Sequence, residues 1–568
     1  MEDFRKTAPV PLAPVAFNIP LPFEAVLENG LRVVILEDRR LPLVSFRLVF
    51  LSGDANEPPD SIGLSSALAS MLNEGTENYS SKMLAEEIER LGASLGAISG
   101  PDSICISASC LSFYVPDILR LMQELVLKPS FPENELELYK QNTIESLKFQ
   151  RSQPSFLANE QVARILYGKH PYSIISPFPQ DIEKVSREKL FDYHQKTFIP
   201  NNAILIIVGD VDREEIFREI TEKFGDWQSR KIMPQNFPEI PKRTKKTLVI
   251  VDRKGSVQAN IVLANPAIKR NHPDYFAVMV MNQILGAGAS SRIFMNLREE
   301  KGYTYGAYSK FDMKRHAGEF EATAEVRTSV TGNSLKEFFY ELNRISNEKV
   351  SEEELLDAKN FLTGVFPIRA ETQEGLTNLI VQQKTYDLPE DYLQTYRDNI
   401  NAVTVEDIER VAGKYVQPEK IAIVIVGDAG EILPQVREFV DTIEVFDAEG
   451  NKLDIEDFGK QAESPTINLT GNWNLTIDFQ GQEVPVKLKV SQQEAAFSGL
   501  LETVFGSGKI ENGKVSGNSF SGVAIVEMQG QKLELAISGK LENELIKGTI
   551  SAPLIPMPLE IIGKKELI

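Results

Sequence analysis

Only four histidines and two cysteines occur in the 568 residues. The histidines are His170, His194, His272 and His316, and no two are spaced i, i+3 or i, i+4. No single helix can therefore present the paired imidazoles that bind a catalytic metal. Cys105 and Cys110 fall in one strand-like run, Ile104 to Cys110. Their odd separation puts them on opposite faces, so they read as small apolar residues rather than a disulfide. Paired-Cys motifs and phosphate loops are missing too. No apolar run approaches the ~20 residues of a membrane span. The start, Met1-Glu-Asp-Phe-Arg-Lys, lacks a basic stretch leading into an apolar core, and Pro9, Pro11, Pro14, Pro20 and Pro22 break the residues after it. No signal peptide is visible, and cytoplasm and periplasm both stay open. Basic residues are outnumbered 61 to 81 by acidic ones, for a net charge of −20. Such a chain is repelled by phosphate backbones, which argues against a nucleic-acid partner.

The bulk of the chain is ordinary globular material, 42% hydrophobic and 25% charged. Its length points to about three domains. An internal repeat organises it. Val185-Ser186 precedes a helical pattern ending at Lys196, Phe198 and Pro200, and a strand Ile206-Ile207-Val208 then runs into Gly209-Asp210. Val403-Thr404 opens a similar helix ending at Lys414, Val416 and Pro418, with Ile423–Val426 and Gly427-Asp428 after it. Ser186 and Thr404, Pro200 and Pro418, and Gly209 and Gly427 are each 218 residues apart. Nearer the front of each half, Gly92-Ala-Ser-Leu-Gly96-Ala97 matches Gly302-Tyr-Thr-Tyr-Gly306-Ala307 at an offset of 210, as does Ser80-Ser81-Lys82 with Ser290-Ser291-Arg292.

The fold class expected is α+β. Leu31–Leu36 and Pro42–Leu51 read as strands after the turn-forming Asn29-Gly30, and Ile62–Leu72 and Ser81–Leu91 read as helices. A long helical region over 133–152 and 155–167 is interrupted at Pro154. Two homologous domains are expected at 1–228 and 247–448, joined by a stiff polar linker at 229–246 that carries Pro234, Pro238 and Pro241. An acidic linker at 449–467 leads into residues 468–568. There, Leu475–Phe479, Val484–Val490, Val523–Met528 and Leu533–Ser538 are short alternating runs, expected to form an antiparallel barrel or meander. Its Gly471-Asn-Trp473 opening is reminiscent of lipocalin-like barrels.

The segment Ser290-Ser-Arg-Ile-Phe-Met-Asn-Leu-Arg298-Glu-Glu-Lys-Gly302-Tyr-Thr-Tyr305-Gly-Ala-Tyr308 resembles the second-domain signature of the pitrilysin/insulinase family, which includes mitochondrial processing peptidase. There a short helix bearing an Arg leads through Gly into a strand bearing a Tyr, here Arg298 and Tyr305. Asn29-Gly-Leu-Arg-Val33 and Gly75-Thr76-Glu77 add to the likeness, which spans roughly 25–450. A guanidinium and a phenol are suitable donors to the oxyanion of peptide hydrolysis. On spacing alone, Arg298 also reads as a solvated helix residue paired with Glu299 or Glu300, and Tyr305 as a half-buried strand aromatic. Gly286-Ala-Gly288-Ala-Ser290 reads as a flexible turn before the Arg-bearing helix.

The sequence departs from the family at its metal site. Active members carry H-x-x-E-H on a first-domain helix. Here Gly63-Leu64 and Gly75-Thr76 align the ends of that segment and put Ser66, Ala69 and Ser70 at the His, Glu and His positions. Serine is a poor zinc ligand, and alanine cannot act as a base. A distal ligand position falls on Glu145, which also reads as an exposed helix residue. The resemblance thus implies a zinc-free subunit of a bacterial heterodimer, with no cofactor in this chain. Zinc is expected on a homologous H-x-x-E-H peptidase subunit, peptides are the expected substrates, and Arg298 and Tyr305 would act in trans. The alternative is an inactive scaffold subunit resembling the core proteins of respiratory complexes.

Overall fold

The computed structural model describes residues 18–232, 236–458, 467–479, 482–503, 506–528, 531–542, 544–551 and 559–566. Pro9, Pro11, Pro14 and Pro234, and residues 459–466 of the expected acidic linker, lie outside them. The chain forms two compact units that divide between Ile455 and Glu456. The architecture is α+β with a C-terminal antiparallel barrel, as the alternation of apolar runs implies.

The larger unit holds two sheets. The first contains β1 (Phe23–Val26), β2 (Arg32–Glu37), β3 (Leu43–Phe50), β4 (Ser94–Ser99), β5 (Ile104–Leu111) and β6 (Ala203–Gly209), in the order β1-β2-β6-β3-β5-β4. The second contains β7 (Thr247–Asp252), β8 (Gln258–Ala267), β9 (Thr304–Met313), β10 (Gly318–Arg327), β11 (Ala422–Gly427), β12 (Ile443–Phe446) and β13 (Lys452–Leu453), in the order β13-β12-β7-β11-β8-β10-β9. The sequence repeat reappears as topology. β2 runs parallel to β6 as β7 does to β11, and the strands beyond are antiparallel in the same succession. β4 and β9 are thus equivalent edge strands.

Local chemistry sets the element ends. Ser186 and Thr404 cap the repeated helices Arg187–Thr197 and Val405–Tyr415, each accepting from a backbone N–H three residues on. Pro200 and Pro418 each open a single 3₁₀ turn before the buried strands β6 and β11. Pro154 starts the helix Pro154–Tyr167, where its missing N–H costs nothing. The repeated glycines Gly92 and Gly302 have φ of +56° and +62° and turn the chain into the edge strands β4 and β9. Left-handed backbone of this kind favours glycine.

Each half covers the other's sheet. The helix Pro154–Tyr167, from the first half, buries Leu157, Val162 and Leu166 with Val249, Val262, Val424 and Val426 of the second sheet. Each such side chain contributes about 1.5–3 kcal/mol of burial. In return the helix Gln373–Thr385, from the second half, lies on β3 and β6. Gln373 Nε2 donates to the Asp38 carbonyl at 2.8 Å, and Lys384 pairs with Glu24.

The smaller unit is an eight-stranded closed barrel, running from Gly471–Phe479 through each neighbour in turn to Leu559–Lys565, which closes on the first strand. Alternate residues point inward, and Trp473, Leu488, Phe497, Phe520 and Ile546 are among those filling the interior. Eight strands enclose a space that side chains alone can fill. The Trp473 indole N–H donates to the Leu469 carbonyl at 2.8 Å, so its one polar atom is satisfied.

Candidate functional site

Ser66, Ala69 and Ser70, the positions expected to correspond to the metal motif, lie on the helix Leu64–Leu72. Leu64, Ala67, Leu68, Met71 and Leu72 turn into the first-half core. Gly63, at φ +89°, offers no side-chain cap. Glu57, from the preceding loop, takes that role and accepts from the backbone N–H of Gly63 at 2.8 Å and of Ser65 at 2.6 Å. Burial pushes the Glu57 carboxyl up to about 7 even though these two amides favour its charge. The Ser65 hydroxyl meets the Tyr193 hydroxyl at 2.9 Å.

Ser66 is exposed, Ser70 partly exposed and Ala69 buried. The two serines, one helical turn apart, open onto clefts beside the helix Glu133–Arg151. The cleft of about 410 Å³ at Ser70 is lined by Tyr139, Asn142, Thr143, Ser146 and Gln150 among others. That of about 380 Å³ at Ser66 reaches Glu57 and His170. Hydroxyls and amides predominate, with the carboxylates of Glu74 and Glu135 also in the first cleft and that of Asp54 in the second. Glu145 is exposed and pairs with Lys148 at 2.6 Å. Among the described residues no three His, Cys, Asp or Glu are grouped to hold a metal ion. His194, its Nε2 2.9 Å from the Val126 carbonyl, is driven down to about 4 by burial.

Arg298 and Tyr305 stand on adjoining elements of the second half. The chain before them is not a flexible turn throughout. Gln283–Ala287 continues the preceding helix as a wider π-type winding, and Gly286 is buried there. A Cβ on Gly286 would lie 2.3 Å from the Ser309 hydroxyl, so tight packing against β9 is what fixes this stretch. A short α turn, Arg292–Phe294, leads into a second π winding, Met295–Glu300. Such windings recur at functional sites. The segment is pinned from beneath. Arg292 makes a two-pronged pair with Glu354 at 2.7 and 3.0 Å, and Asn296 donates to Glu341 at 2.9 Å. Arg298 is left half-exposed, its guanidinium 4.8 Å from the Phe294 ring centroid and 3.6 Å from Glu299.

Tyr305 is 92% exposed, against the half-buried aromatic that strand spacing suggests. A β-bulge accounts for this. Ala307 faces Ala324 and Thr304 faces Val326, so Tyr305 and Gly306 together oppose Glu325 alone. Bulges re-aim side chains and cluster near active sites. The Thr304 hydroxyl holds this one, donating to the Glu325 and Gly306 carbonyls at 2.6 and 2.9 Å. The structure therefore brings Arg298 and Tyr305 to one edge of the second sheet, while Ser66, Ala69 and Ser70 belong to the first half. Sequence reasoning missed Glu57, the bulge and the windings. Only the Ser351-x-x-Glu354 capping box, which holds Arg292's partner, had a legible signature.

Comparison with known proteins bears on this arrangement. Residues 32–177 match the family described as Insulinase (Peptidase family M16), and residues 184–362 match the Peptidase M16 inactive domain. Together these cover more than half of the chain, which belongs to the peptidase M16 family. It is 22% identical over 420 residues to a Bacillus subtilis protein named uncharacterized zinc protease YmxG, covering 71% of this chain and 98% of that one. It is 24% identical over 379 residues to a Helicobacter pylori protein named non-peptidase homolog YmxG, covering 66% and 87%. A crystal structure of a peptidase M16 inactive domain from Pseudomonas fluorescens superposes with a TM-score of 0.68 at 27% identity, covering 72% of this chain and 98% of that one.

Proposed function

We propose that this chain is the metal-free partner in a heterodimeric zinc peptidase, supplying Arg298 and Tyr305 to a site whose zinc lies on a homologous subunit. The observation that carries this reading is the exposure of Tyr305. Its hydroxyl makes no hydrogen bond among the described residues, yet the bulge holds its strand position firmly. A large aromatic gains nothing for the fold by standing in water. With the half-exposed Arg298 on the adjoining winding, it is poised to meet a polar group on another molecule.

The partner would bring the zinc and the general base. This chain's guanidinium and phenol would donate hydrogen bonds to the carbonyl oxygen of the scissile peptide as negative charge grows on it. The edge strand β9 offers unpaired backbone groups along which an extended peptide can be held. Family members named zinc protease and non-peptidase homolog agree with such a split of roles.

The test is hydrolysis of a quenched fluorescent peptide library by this chain, by an H-x-x-E-H homologue from the same organism, and by the mixture. Cleavage by the mixture alone, slowed by Arg298→Ala and Tyr305→Phe without loss of association, supports the divided site. Cleavage by this chain alone overturns it. Equal cleavage by the homologue without this chain transfers support to the scaffold role.

A further inference from the structure

A cavity of about 350 Å³ lies between the two halves of the larger unit. Its floor comes from the paired strands β9 and β10. Cross-strand register sets Lys310 opposite Glu321, and their ion pair measures 2.9 Å. The same register sets Asp312 opposite Glu319, two like charges that repel. Lys314 reaches between them, at 2.7 Å from Asp312 and 3.2 Å from Glu319. With Asp54 on the opposite wall, four carboxylates face two ammonium groups.

Three buried polar atoms at this cavity have no hydrogen bond among the described residues, and one of them, Glu321 Oε2, is held instead by its ion pair with Lys310. Glu319 is 7% exposed and its Oε2 is unpartnered, while Tyr167 is 1% exposed and its hydroxyl is unpartnered. Buried polar atoms in native proteins are nearly always satisfied, so each exception calls for a missing partner. The half-exposed Ile174 and Ile175, by contrast, give the cavity an apolar wall. An excess of negative charge, an open carboxylate acceptor with the Tyr167 hydroxyl close beside it, and an apolar side describe a site for a cation on a short alkyl stem. The lysines already engaged with the carboxylates make the floor unsuited to a metal ion.

We propose that this cavity binds an alkylammonium group, its stem against Ile174 and Ile175 and its charged head between Glu319 and Tyr167. The volume falls in the range of small-molecule sites. The group would come from a free amine or from a lysine side chain of a polypeptide. The inference is independent of the chain's part in hydrolysis.

The experiment is calorimetric titration of the full chain with n-butylammonium, Nα-acetyl-lysine amide and its uncharged analogue Nα-acetyl-norleucine amide. Binding of at least one cation, at least tenfold tighter than the norleucine analogue, is expected. Glu319→Gln should weaken it tenfold or more, and Tyr167→Phe several-fold. Comparable binding of both cations assigns a free amine, and preference for the lysine amide assigns a polypeptide side chain. The proposal is overturned if neither cation binds, if the norleucine analogue binds equally, or if both substitutions leave affinity unchanged. Should Glu319→Gln fail to fold, the Tyr167→Phe titration decides.

Discussion

Arg47, in the middle of β3, donates to Glu374 of the helix Gln373–Thr385 at 3.0 Å across 327 residues of sequence. The arginine is 7% exposed and also donates to the Phe46 carbonyl and the Ser45 hydroxyl, whereas the Glu374 side chain is largely in solvent. The two partners should therefore respond unequally. Arg47→Met strands buried acceptors and is expected to destabilise the chain by about 1–3 kcal/mol. Glu374→Gln removes a mostly solvated charge and should cost under about 1 kcal/mol. Urea unfolding of both variants checks this. Equal losses would show that the pair acts as one unit.

Arg298 and Tyr305 should matter little to the fold. Neither is buried, and substitutions at exposed positions are usually within about 0.5 kcal/mol. Arg298→Ala and Tyr305→Ala are expected to leave the melting temperature unchanged. In the reconstituted mixture, loss of one oxyanion donor is expected to lower kcat by about 10²–10³-fold. A matching loss of stability would instead assign both residues a structural role.

Glu57 should give stability a pH dependence. Its folded carboxyl titrates near 7 because of burial, above the ordinary 4.5. Between those values the folded state holds a proton that the unfolded state has lost, so this contribution falls as pH rises from about 4.5 through about 7 and is level above. The shift corresponds to at most about 3.5 kcal/mol. Denaturant midpoints at pH 5 to 8 should show wild type losing ground against Glu57→Gln. A constant difference across that range would rule the assignment out.

The two tryptophans report on different units. Trp227 belongs to the first-half core and Trp473 to the barrel interior. Trp227→Phe and Trp473→Phe each leave one indole, and fluorescence melts of the two variants are expected to give different midpoints. Coincident curves would mean that both cores unfold together.

Features set by residues near in sequence were legible from it. The repeat at 218, Pro154 at a helix start and the alternating runs of the barrel all depend on local pattern. The family of the chain was legible in the segment from Ser290 to Tyr308. Features decided at long range escaped. The reach of Glu57 to the amides of Gly63 and Ser65 depends on a loop's path. The π winding at Gly286 depends on Ser309 lying against it, and the bulge at Tyr305 depends on the register with β10. The exchange of the helices Pro154–Tyr167 and Gln373–Thr385 leaves no mark either, because an apolar stripe does not say whose sheet it covers.

The helix Leu64–Leu72 separates upkeep from chemistry. Leu64, Leu68, Met71 and Leu72 hold the first-half core, Ala69 fills its place with a methyl group, and Ser66 and Ser70 look outward. On the proposed division of roles, a change from imidazole to hydroxyl at the outward positions costs no packing. Natural selection acts on the two faces through different failures, misfolding on one side and lost turnover on the other. In an assembly that needs one complete metal site per pair of chains, only the first kind of failure would be purged from this copy.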